Sequence, residues 1–493
     1  MQYHKRIGEH LIESGLITQE QLNIALEEQK KTGELLGAIL YGFSFINQKD
    51  LQNVLSMSHT GEQKKEQEGT ELPKDLEDLL KQSISALKRA EVRADRISDV
   101  SMAPIVRLVD NIIITGINKG STDIHIGPDV RGIRIRYRID GQLQHGLFLP
   151  KDLLPALVSR IKIMGSLNIA ENRIPQDGAI EFSLSGKLFD IRISTFPITG
   201  GENIVLRILD KSQLLLGLEN LGFSKDDIET LNSSLKLPYG MILVTGPTGS
   251  GKTTTLYSAL SIINTVHKNI FTIEDPIEYQ IPLVRQSQVN VKAGLTFSSG
   301  LRSILRQDPD IILIGEMRDF ETAELAIRSA LTGHLVFTTL HTNNAASSLP
   351  RLIDMGVEPF LIASTIDTII SQRLVRVLCK RCKEKYSPSR DLSGRIGISV
   401  PDGAVFYKAK GCQECNNTGY AGRTAIYEIL KMNDSLRKLV LLKSGSDELY
   451  DAARKDGMKN IYESGLDKAL SGITSLEEVI SVTRNIINGI LQL

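Results

Sequence analysis

One short segment of the sequence combines residue types that suit phosphate chemistry. Residues 246–253 read Gly-Pro-Thr-Gly-Ser-Gly-Lys-Thr and fit the pattern G-x-x-x-x-G-K-[ST]. Glycines allow a tight turn that aims backbone N–H groups at phosphate oxygens, and the helix that follows presents the positive end of its dipole. Lys252 is then placed for the β- and γ-phosphates, and the Thr253 hydroxyl for Mg²⁺. The segment predicts an ATP-binding loop formed by Gly246, Pro247, Thr248, Gly249, Ser250, Gly251, Lys252, Thr253 and the adjacent Thr254.

Acidic residues follow two apolar runs downstream of this loop. Ile270–Ile273 is followed by Glu274 and then by Glu278, while Ile311–Ile314 is followed by Glu316. Because ligands of parallel sheets bind beyond the carboxyl ends of the strands, we expect all three glutamates to lie near the nucleotide. ATP hydrolysis needs a carboxylate that positions water and acidic groups near Mg²⁺. The glutamates therefore predict hydrolysis in addition to binding.

Three other polar residues are distinguished by the strand end that they occupy. Asp310 lies at the opposite end of its strand, about 20 Å from Glu316, and is therefore excluded from metal binding. His334 and His341 stand on either side of the apolar run Leu335–Leu340. His341, at the carboxyl end, is the candidate sensor of the γ-phosphate, whereas His334 is either structural or part of an interface.

The elements that would hold these residues alternate between strands and helices. Met241–Thr245 is a short apolar run directly before the loop, and a helical pattern extends from Lys252 to about Asn264. Apolar strands that alternate with helices predict a mostly parallel sheet covered on both faces. We therefore expect an α/β P-loop domain over residues 216–493 that ends in a helical tail.

The preceding region, residues 96–215, has a different pattern. Alternating apolar and polar residues predict antiparallel strands, and Asp140-Gly141 is typical of a hairpin turn. The region is therefore expected to be a mixed α+β domain. Its predicted elements are helices near Pro104–Lys119 and Leu153–Met164 and strands at Ile133–Ile139, Ala179–Leu184, Phe189–Ser194 and Asn203–Leu209.

An internal repeat occupies residues 1–58. Thr18 and Gln21 form a capping box in the first copy, and Asn47 with Asp50 takes the matching place in the second. Each copy reads as a short helix, a turn and a second helix, so two copies could bury each other's apolar faces as a small helical domain. Residues 59–95 are expected to connect it to the next domain through a polar, flexible linker at 59–72 and a helix from about Leu76 to Val92.

All four cysteines of the chain lie in two Cys-x-x-Cys pairs, Cys379 with Cys382 and Cys412 with Cys415. Four thiolates can close a tetrahedral Zn²⁺ site that leaves no open position, which predicts a structural metal. Paired cysteines of this kind, in a chain without a disulfide framework, indicate a reducing compartment. The cytoplasm is therefore the expected location.

Bulk composition excludes several classes of protein. The 493 residues are 41% hydrophobic, which predicts several globular domains rather than disorder. The 58 Lys and Arg residues balance the 58 Asp and Glu residues, so composition gives no support to a nucleic-acid motor. The N-terminus lacks the apolar core of a signal peptide, and no apolar run predicts a membrane span.

Together these motifs resemble the secretion ATPases of type II secretion and type IV pilus assembly, over nearly the whole chain. The chain departs from the usual family pattern at Ser121, Thr122 and Gly127, where relatives carry alanine, serine and glutamate, and at Ala179, where they carry arginine. These departures leave the ATP site untouched. The resemblance is carried by Gly246–Leu256, Thr272–Glu278, Leu301–Asp319 and Thr332–Asn343, and the run Leu301–Asp310 is especially specific.

The resemblance implies a fold, an assembly and partners. It implies a RecA-like ATPase domain behind a PAS-like α+β domain, assembled into a homohexamer. The hexamer would sit peripherally at the bacterial inner membrane and drive a platform protein there, so that pilin subunits join a pilus or a secretion pseudopilus. The four-cysteine knuckle is typical of assembly-type members and absent from retraction-type ATPases.

The resemblance also implies roles for individual residues. Glu278 corresponds to the general base, and Glu316 supports Mg²⁺ and water. Arg192 and Arg207, on predicted strands of the α+β domain, would reach across to the nucleotide, where a guanidinium neutralises transition-state charge. Each ATP site would then be completed when the preceding domain closes over it.

The N-terminal repeat resembles a domain that binds cyclic di-GMP in some relatives through two tandem motifs. The first copy, from Arg6 to Gln29, matches, but the key positions of the second copy are Leu35, Ser44 and Ser58. The expected role is therefore docking onto a membrane-anchored partner, with cyclic di-GMP binding as the alternative. For the whole chain, the alternative to an ATP-hydrolysing motor is a nucleotide-gated or cyclic di-GMP-responsive scaffold with little turnover.

Overall fold

The chain divides into two compact units, residues 1–108 and 109–493. The structure is a computed structural model. It describes residues 16–32, 39–40, 43, 45–46, 78–79, 81–85, 99–210, 217–387 and 404–490.

In the first unit, helix α1 (Gln19–Thr32) begins at the predicted capping box. The Thr18 backbone N–H donates to Gln21 Oε1 at 2.8 Å, and the Gln21 N–H donates to Thr18 Oγ1 at 3.3 Å. The helix contributes to an apolar cluster with residues from the second half of the predicted repeat. The buried members of that cluster are Ile17, Leu22, Ala25, Ile39, Leu40 and Ile46.

Other predictions for the N-terminal region fall partly or wholly outside the described residues. Of the helix expected over 76–92, residues 78–79 and 81–85 are described and are helical. The linker 59–72 lies outside the described residues. So do the predicted repeat positions Arg6, Leu35, Ser44, Asn47, Asp50 and Ser58.

Helix α2 (Asp99–Asn118) is followed by a six-stranded sheet in which every pairing is antiparallel. The strand order is β3-β2-β1-β6-β5-β4. The hairpin predicted at Asp140-Gly141 forms with φ values of 48° and 84°, the positive pair that a two-residue hairpin turn requires. The strands are β1 (Asp123–Asp129), β2 (Gly132–Ile139), β3 (Gln142–Leu149), β4 (Gln176–Leu184), β5 (Lys187–Ile198) and β6 (Gly201–Asp210), and α3 (Leu154–Met164) lies between β3 and β4 in the chain.

Alternation along β2 explains which face of this sheet is buried. Ile133, Ile135 and Tyr137 are almost fully buried, in line with the period-two pattern of a strand that is covered on one side. The Tyr137 hydroxyl donates to the Ile112 carbonyl of α2 at 3.3 Å, so α2 packs on that face. The sequence pattern therefore correctly predicts a mixed α+β arrangement here.

A second sheet has seven strands in the order β15-β12-β7-β11-β10-β8-β9. Neighbouring strands are parallel from β12 to β9, and only the edge strand β15 is antiparallel to its neighbour. The strands are β7 (Gly240–Thr245), β8 (Ile270–Glu274), β9 (Val284–Gln288), β10 (Ile311–Ile314), β11 (Leu335–Leu340), β12 (Ile366–Leu378) and β15 (Tyr420–Lys431), and a separate two-stranded sheet contains β13 (Glu384–Tyr386) and β14 (Phe406–Lys408).

Side chains of β7 show that the seven-stranded sheet is buried on both faces. Met241 and Leu243 belong to one apolar core, and Ile242 and Val244 belong to the other. This confirms the mostly parallel, doubly covered sheet that the sequence predicts. The helices of this part of the chain are α4 (Lys225–Leu235), α5 (Lys252–Ile263), α6 (Phe297–Ile304), α7 (Phe320–Leu331), α8 (Ser348–Asp354), α9 (Pro359–Thr365), α10 (Asp434–Leu441), α11 (Ser446–Lys455), α12 (Ile461–Leu470) and α13 (Leu476–Ile490).

Strands β12 and β15 are absent from the sequence-based expectation. Asp367, Gln372 and Arg373 interrupt the apolar pattern of β12, so its periodicity does not identify a strand. The strand forms because it pairs with β7, more than a hundred residues earlier in the chain. Within the described ranges, no helix is both long enough and apolar enough to cross a membrane.

Candidate nucleotide-binding site

The predicted phosphate loop joins the end of β7 to the start of α5. Gly246, Gly249 and Gly251 have φ values of 145°, 78° and 87°, a region of backbone conformation that glycine adopts far more readily than other residues. The tip of the loop, residues 247–249, is exposed, whereas Gly246 and Ser250 are buried. The strand, loop and helix therefore have the arrangement expected for phosphate binding.

Lys252 lies over this loop. Its Nζ atom donates to the Gly246 carbonyl at 2.9 Å and to the Pro247 carbonyl at 3.1 Å. Burial lowers the pKa of Lys252, and the negative charge of Glu316 acts in the opposite direction. The ammonium group is thus held at the loop, close enough to Glu316 to feel its charge.

Other loop residues present groups suited to an anion or a cation. The Ser250 hydroxyl is buried and has no hydrogen-bond partner among the described residues, which fits a place reserved for a ligand oxygen. Thr253 is exposed in the first turn of α5, and Thr254 beside it is half-buried. The residues present therefore fit a phosphate group with an accompanying Mg²⁺.

Glu316 lies just beyond β10 and is held between two basic groups. Its Oε2 atom is 3.4 Å from His341 Nε2, and its Oε1 atom is 2.5 Å from Arg318 Nη2. The Glu316 side chain is largely buried, whereas those of Arg318 and His341 are more than half exposed. The sequence predicts Glu316 and His341 as strand-end residues of the site but not Arg318, for which the position two residues after Glu316 is the one available signal.

Glu278 is the acid that meets the preceding domain. Arg192, on β5, donates through Nη2 to the Ile277 carbonyl at 2.9 Å, and the same atom is 3.1 Å from Glu278 Oε2. The Arg192 and Glu278 side chains are 26% and 33% exposed, while the Glu278 Oε2 atom that faces Arg192 is buried. The structure thus brings together the predicted base and one of the two predicted arginines.

Arg207 has a different partner. It stands directly opposite Arg192 in the β5–β6 register, so the two side chains leave the same face of the sheet. Its Nε atom donates to Asp123 Oδ1 at 3.1 Å, and its side chain is 62% exposed. The structure therefore places Arg207 next to Arg192 but pairs it with an acid of its own sheet.

Glu274 has an interior environment. It is 3% exposed, and its carboxylate accepts hydrogen bonds from Thr272 Oγ1 at 2.5 Å, from Gln286 Nε2 at 3.1 Å and from the Tyr257 hydroxyl. Burial and the Glu274 charge raise the pKa of Tyr257, so that hydroxyl keeps its proton and donates. These three partners belong to β8, β9 and α5, so the Glu274 carboxylate points into the interior, whereas the sequence predicts that it faces the nucleotide.

Two strand-end residues remain, Asp310 and His334. Asp310 accepts a hydrogen bond from the Asn269 backbone N–H at 2.7 Å, at the end of the sheet away from the phosphate loop. His334 Nδ1 is 2.9 Å from the Ser329 carbonyl in the last turn of α7. This contact is local, between residues five apart in the chain.

The four cysteines converge on one point. Cys379 Sγ is 3.9 Å from Cys412 Sγ, Cys382 Sγ is 3.8 Å from Cys415 Sγ, and Cys412 Sγ is 3.7 Å from Cys415 Sγ. Sulfur atoms at about 2.3 Å from a tetrahedral Zn²⁺ are about 3.8 Å apart. All four sulfur atoms lie within 4.8 Å of one another, so the cluster fits a zinc ion with four thiolate ligands.

Comparisons with known proteins agree with this geometry. The family described as "Type II/IV secretion system protein" matches residues 98–481. The chain is 50% identical over 387 residues to type II secretion system protein E of Xanthomonas campestris, covering 78% of this chain and 68% of the relative. It is 47% identical over 386 residues to the type IV pilus assembly ATPase PilB of Myxococcus xanthus, covering 77% of this chain and 68% of the relative.

Among solved structures, the ATPase DotB of Legionella pneumophila is similar with a TM-score of 0.56 at 23% identity. The similarity covers 80% of this chain and 97% of DotB and supports the fold. The family match spans both sheet domains and the cysteine cluster, and the two relatives are matched over more than two thirds of their length. The chain therefore belongs to the family of type II/IV secretion system proteins.

Proposed function

We propose that this protein hydrolyses ATP as a homohexameric motor for type II secretion or type IV pilus assembly. It would work on the cytoplasmic side of the inner membrane, where it acts on a platform protein. The observation that carries this proposal is the phosphate loop, with Lys252 held on it within reach of the Glu316 charge, in a chain of this family. The Glu316–His341 and Arg192–Glu278 pairs support it. The six-stranded domain is proposed to be PAS-like and the seven-stranded domain RecA-like.

In the proposed reaction, residues 246–254 bind the triphosphate and Lys252 contacts its β- and γ-phosphates. Bound Mg²⁺, held through Thr253 and supported by Glu316, would neutralise phosphate charge. Glu278 accepts a proton from the water whose oxygen attacks the γ-phosphorus, while the bond to the bridging oxygen breaks and ADP leaves. His341, beside Glu316, senses the γ-phosphate, and Glu274 supports the strand end from the interior.

Arg192 connects this chemistry to domain movement. It comes from a different sheet than the loop, so its distance from the nucleotide depends on how the two sheet domains are arranged. When the domains close, Arg192 transfers from Glu278 to the γ-phosphate, and Arg207 joins it after leaving Asp123. Hydrolysis is thereby tied to closure, which is the property a motor requires.

Two further parts of the chain have supporting roles in this proposal. The cluster of Cys379, Cys382, Cys412 and Cys415 holds a structural Zn²⁺ that closes the knuckle between β12 and β15. The N-terminal unit docks onto a membrane-anchored protein of the machine. Cyclic di-GMP binding by this unit remains the alternative, and it would make the chain a second-messenger-responsive scaffold.

Phosphate release from the purified protein tests the proposal. The wild-type chain is expected to release phosphate from ATP in a Mg²⁺-dependent reaction and to form a hexamer by light scattering. Lys252→Ala should remove both nucleotide binding and release. A scaffold with little turnover would instead bind MgATP and release almost no phosphate, and that result would overturn the motor proposal.

A further inference from the structure

Strand β12 continues beside the phosphate loop. It runs parallel to β7, and Ser371 is in register with Thr245, the last residue of β7. The residues that follow this pair are Gln372, still within β12, and Gly246, the first residue of the phosphate loop. Gln372 is 1% exposed, an unusual burial for a glutamine, and it takes no part in the chemistry proposed above.

The Gln372 side chain bonds to both ends of the segment that follows the loop tip. Its Nε2 atom donates to the Ser250 carbonyl at 2.7 Å, and its Oε1 atom accepts from Thr255 Oγ1 at 2.7 Å. Ser250 belongs to the loop, and Thr255 belongs to the first turn of α5. One amide group thus fixes the loop and the start of its helix relative to each other.

Two of the loop glycines are close-packed against the same residue. A Cβ atom at Gly246 would lie 2.4 Å from the Gln372 carbonyl oxygen, and one at Gly251 would lie 2.8 Å from Gln372 Nε2. Both distances are below the 3.0 Å that real Cβ contacts respect. A Cβ atom at Gly249, between them, would have no other atom within 4 Å, so only the φ value of Gly249 requires glycine there.

We propose that Gln372 is a positioning residue for the phosphate loop, holding it in its anion-binding shape. This inference rests on the proposed binding of ATP phosphates by residues 246–253. The C=O and N–H groups of a trans peptide point in opposite directions. Because Gln372 holds the Ser250 carbonyl towards β12, the Gly251 N–H on the same peptide points away from β12, towards the space enclosed by the loop.

The Arg373 side chain supports the same arrangement by donating hydrogen bonds to two backbone carbonyls. Its Nη1 atom donates to the Gln372 carbonyl at 3.0 Å, the oxygen against which Gly246 packs, and its Nη2 atom donates to the Asn343 carbonyl at 2.9 Å. Asn343 lies in the segment that follows His341. Strand β12 thus contacts the phosphate loop through Gln372, and it contacts the segment that follows His341 through Arg373.

Binding of MgADP to the full chain, measured by calorimetry, tests the proposal. Gln372→Met removes both hydrogen bonds at similar volume, and Thr255→Val removes only the bond to the helix. Thr368→Val is the matched control. Thr368 is a fully buried residue on the same strand, and its hydroxyl is 2.9 Å from Ser234 Oγ, away from the loop. Thr368→Val therefore removes a buried hydrogen bond without changing any contact of the loop.

Gln372→Met is expected to weaken MgADP binding by at least about tenfold, and Thr255→Val by a smaller factor, because each lost bond frees part of the loop. The double variant Gln372→Met with Thr255→Val should bind MgADP only slightly more weakly than Gln372→Met alone, because both changes remove one shared contact. Thr368→Val should lower the melting temperature but leave MgADP affinity within about twofold of wild type.

Gln372→Glu supplies a readout that a merely structural residue would not give. A carboxylate cannot donate to the Ser250 carbonyl, but a protonated carboxyl group can. Relative to wild type at each pH, this variant should bind MgADP weakly at pH 8 and regain affinity at pH 6.

MgADP affinity within about twofold of wild type in both Gln372→Met and Thr255→Val would overturn the inference. If Gln372→Met does not fold, Thr255→Val and Gln372→Glu decide the matter. A wild-type chain that does not bind MgADP at all would instead contradict the proposed function, so the two failures are distinct.

Discussion

Arg192 Nη2 lies 3.1 Å from Glu278 Oε2, although the two residues belong to different sheet domains. The same nitrogen donates to the Ile277 carbonyl at 2.9 Å, so the guanidinium contacts both the backbone and the side chain of this acidic segment. Glu278 is thereby connected to β5, while the phosphate loop belongs to β7. Any movement of one sheet domain relative to the other changes the surroundings of the proposed base.

This contact predicts unequal effects for the two arginines. Arg192→Ala should lower kcat for ATP hydrolysis by at least about 100-fold, because an arginine that reaches a transferring phosphoryl group contributes about 10³–10⁵ in rate. Arg207→Ala should have a smaller effect, since Arg207 contacts Asp123 of its own sheet, whereas Arg192 contacts the proposed base Glu278. Steady-state phosphate release measures kcat for both variants. Arg134→Ala, on β2 next to the edge strand β3 of the same sheet, is the control. Equal losses in Arg192→Ala and Arg207→Ala would contradict the prediction.

The base assignment predicts a separation of binding from chemistry. Glu278→Gln keeps the shape of the side chain but cannot accept a proton, so kcat should fall by about 10²–10⁴ while MgATP binding is retained. Asp310→Asn, a similar change at the other end of the sheet, should hydrolyse ATP normally. Normal turnover by Glu278→Gln would show that another group accepts the proton.

The strands of the ATPase sheet illustrate what local pattern can determine. Ile311–Ile314 and Leu335–Leu340 have the bounds that the sequence predicts, because each is a short apolar run buried on both faces and bounded by polar residues. The phosphate loop is equally local, since its glycines, lysine and threonine are consecutive. For these features the residues near in sequence are also the ones that determine the structure.

Long-range contacts account for what the sequence pattern does not predict. Gln372 and Ser250 are 122 residues apart, and nothing within the loop indicates which residue supports it. Sequence spacing likewise does not distinguish Glu274 from Glu278. In the structure Glu274 is buried and bonded to Thr272, Gln286 and Tyr257. The Glu278 side chain, in contrast, is one third exposed. Pairing between distant strands decides both cases.

The cysteine cluster predicts one zinc ion per chain. Metal released from denatured protein should be stoichiometric, and removal of zinc by a chelator should lower the melting temperature by at least about 5 °C, because the metal closes the segment between β12 and β15. Cys415→Ser should lose zinc, whereas Lys252→Ala should retain it. Less than about half an ion per chain in wild-type protein would exclude the site.

A buried ion pair in the six-stranded domain predicts a stability effect without an effect on nucleotide binding. Lys162 Nζ is 2.8 Å from Glu202 Oε1 and donates to the Glu171 carbonyl at 2.6 Å, and both charged side chains are less than 10% exposed. Lys162→Met should cost about 3–5 kcal/mol of the free energy of unfolding, because it leaves Glu202 charged and buried.

The double variant Lys162→Met with Glu202→Leu should recover most of the lost free energy of unfolding, because neither side chain then carries a buried charge that needs a partner. Denaturant unfolding of the three proteins measures the effect, and MgADP affinity is expected to stay unchanged. A double variant less stable than Lys162→Met alone would mean that the ion pair itself, rather than the isolated charge, determines stability.

Glu428 predicts a dependence of stability on pH. It is 1% exposed on β15 and accepts a hydrogen bond from the Ala345 backbone N–H at 2.7 Å, yet burial raises its pKa from 4.5 to about 7. Between these two values the native state holds the proton and the unfolded state has lost it, so the free energy of unfolding decreases as pH rises through this window and levels off above pH 7.

Glu428→Gln removes this dependence, because the amide oxygen can still accept from Ala345 and carries no charge at any pH. The variant should be more stable than wild type by about 3 kcal/mol at pH 8 and by less than about 1 kcal/mol at pH 5, since 2.5 pKa units correspond to about 3.4 kcal/mol. Thermal unfolding at both pH values measures the difference, with Glu219→Gln, an exposed acid, as a control that should change little at either. If Glu428→Gln were less stable than wild type at pH 8 but equal at pH 5, the charged carboxylate and the nearby Arg373 would have to form a stabilising pair, and burial would not be the dominant effect on this group.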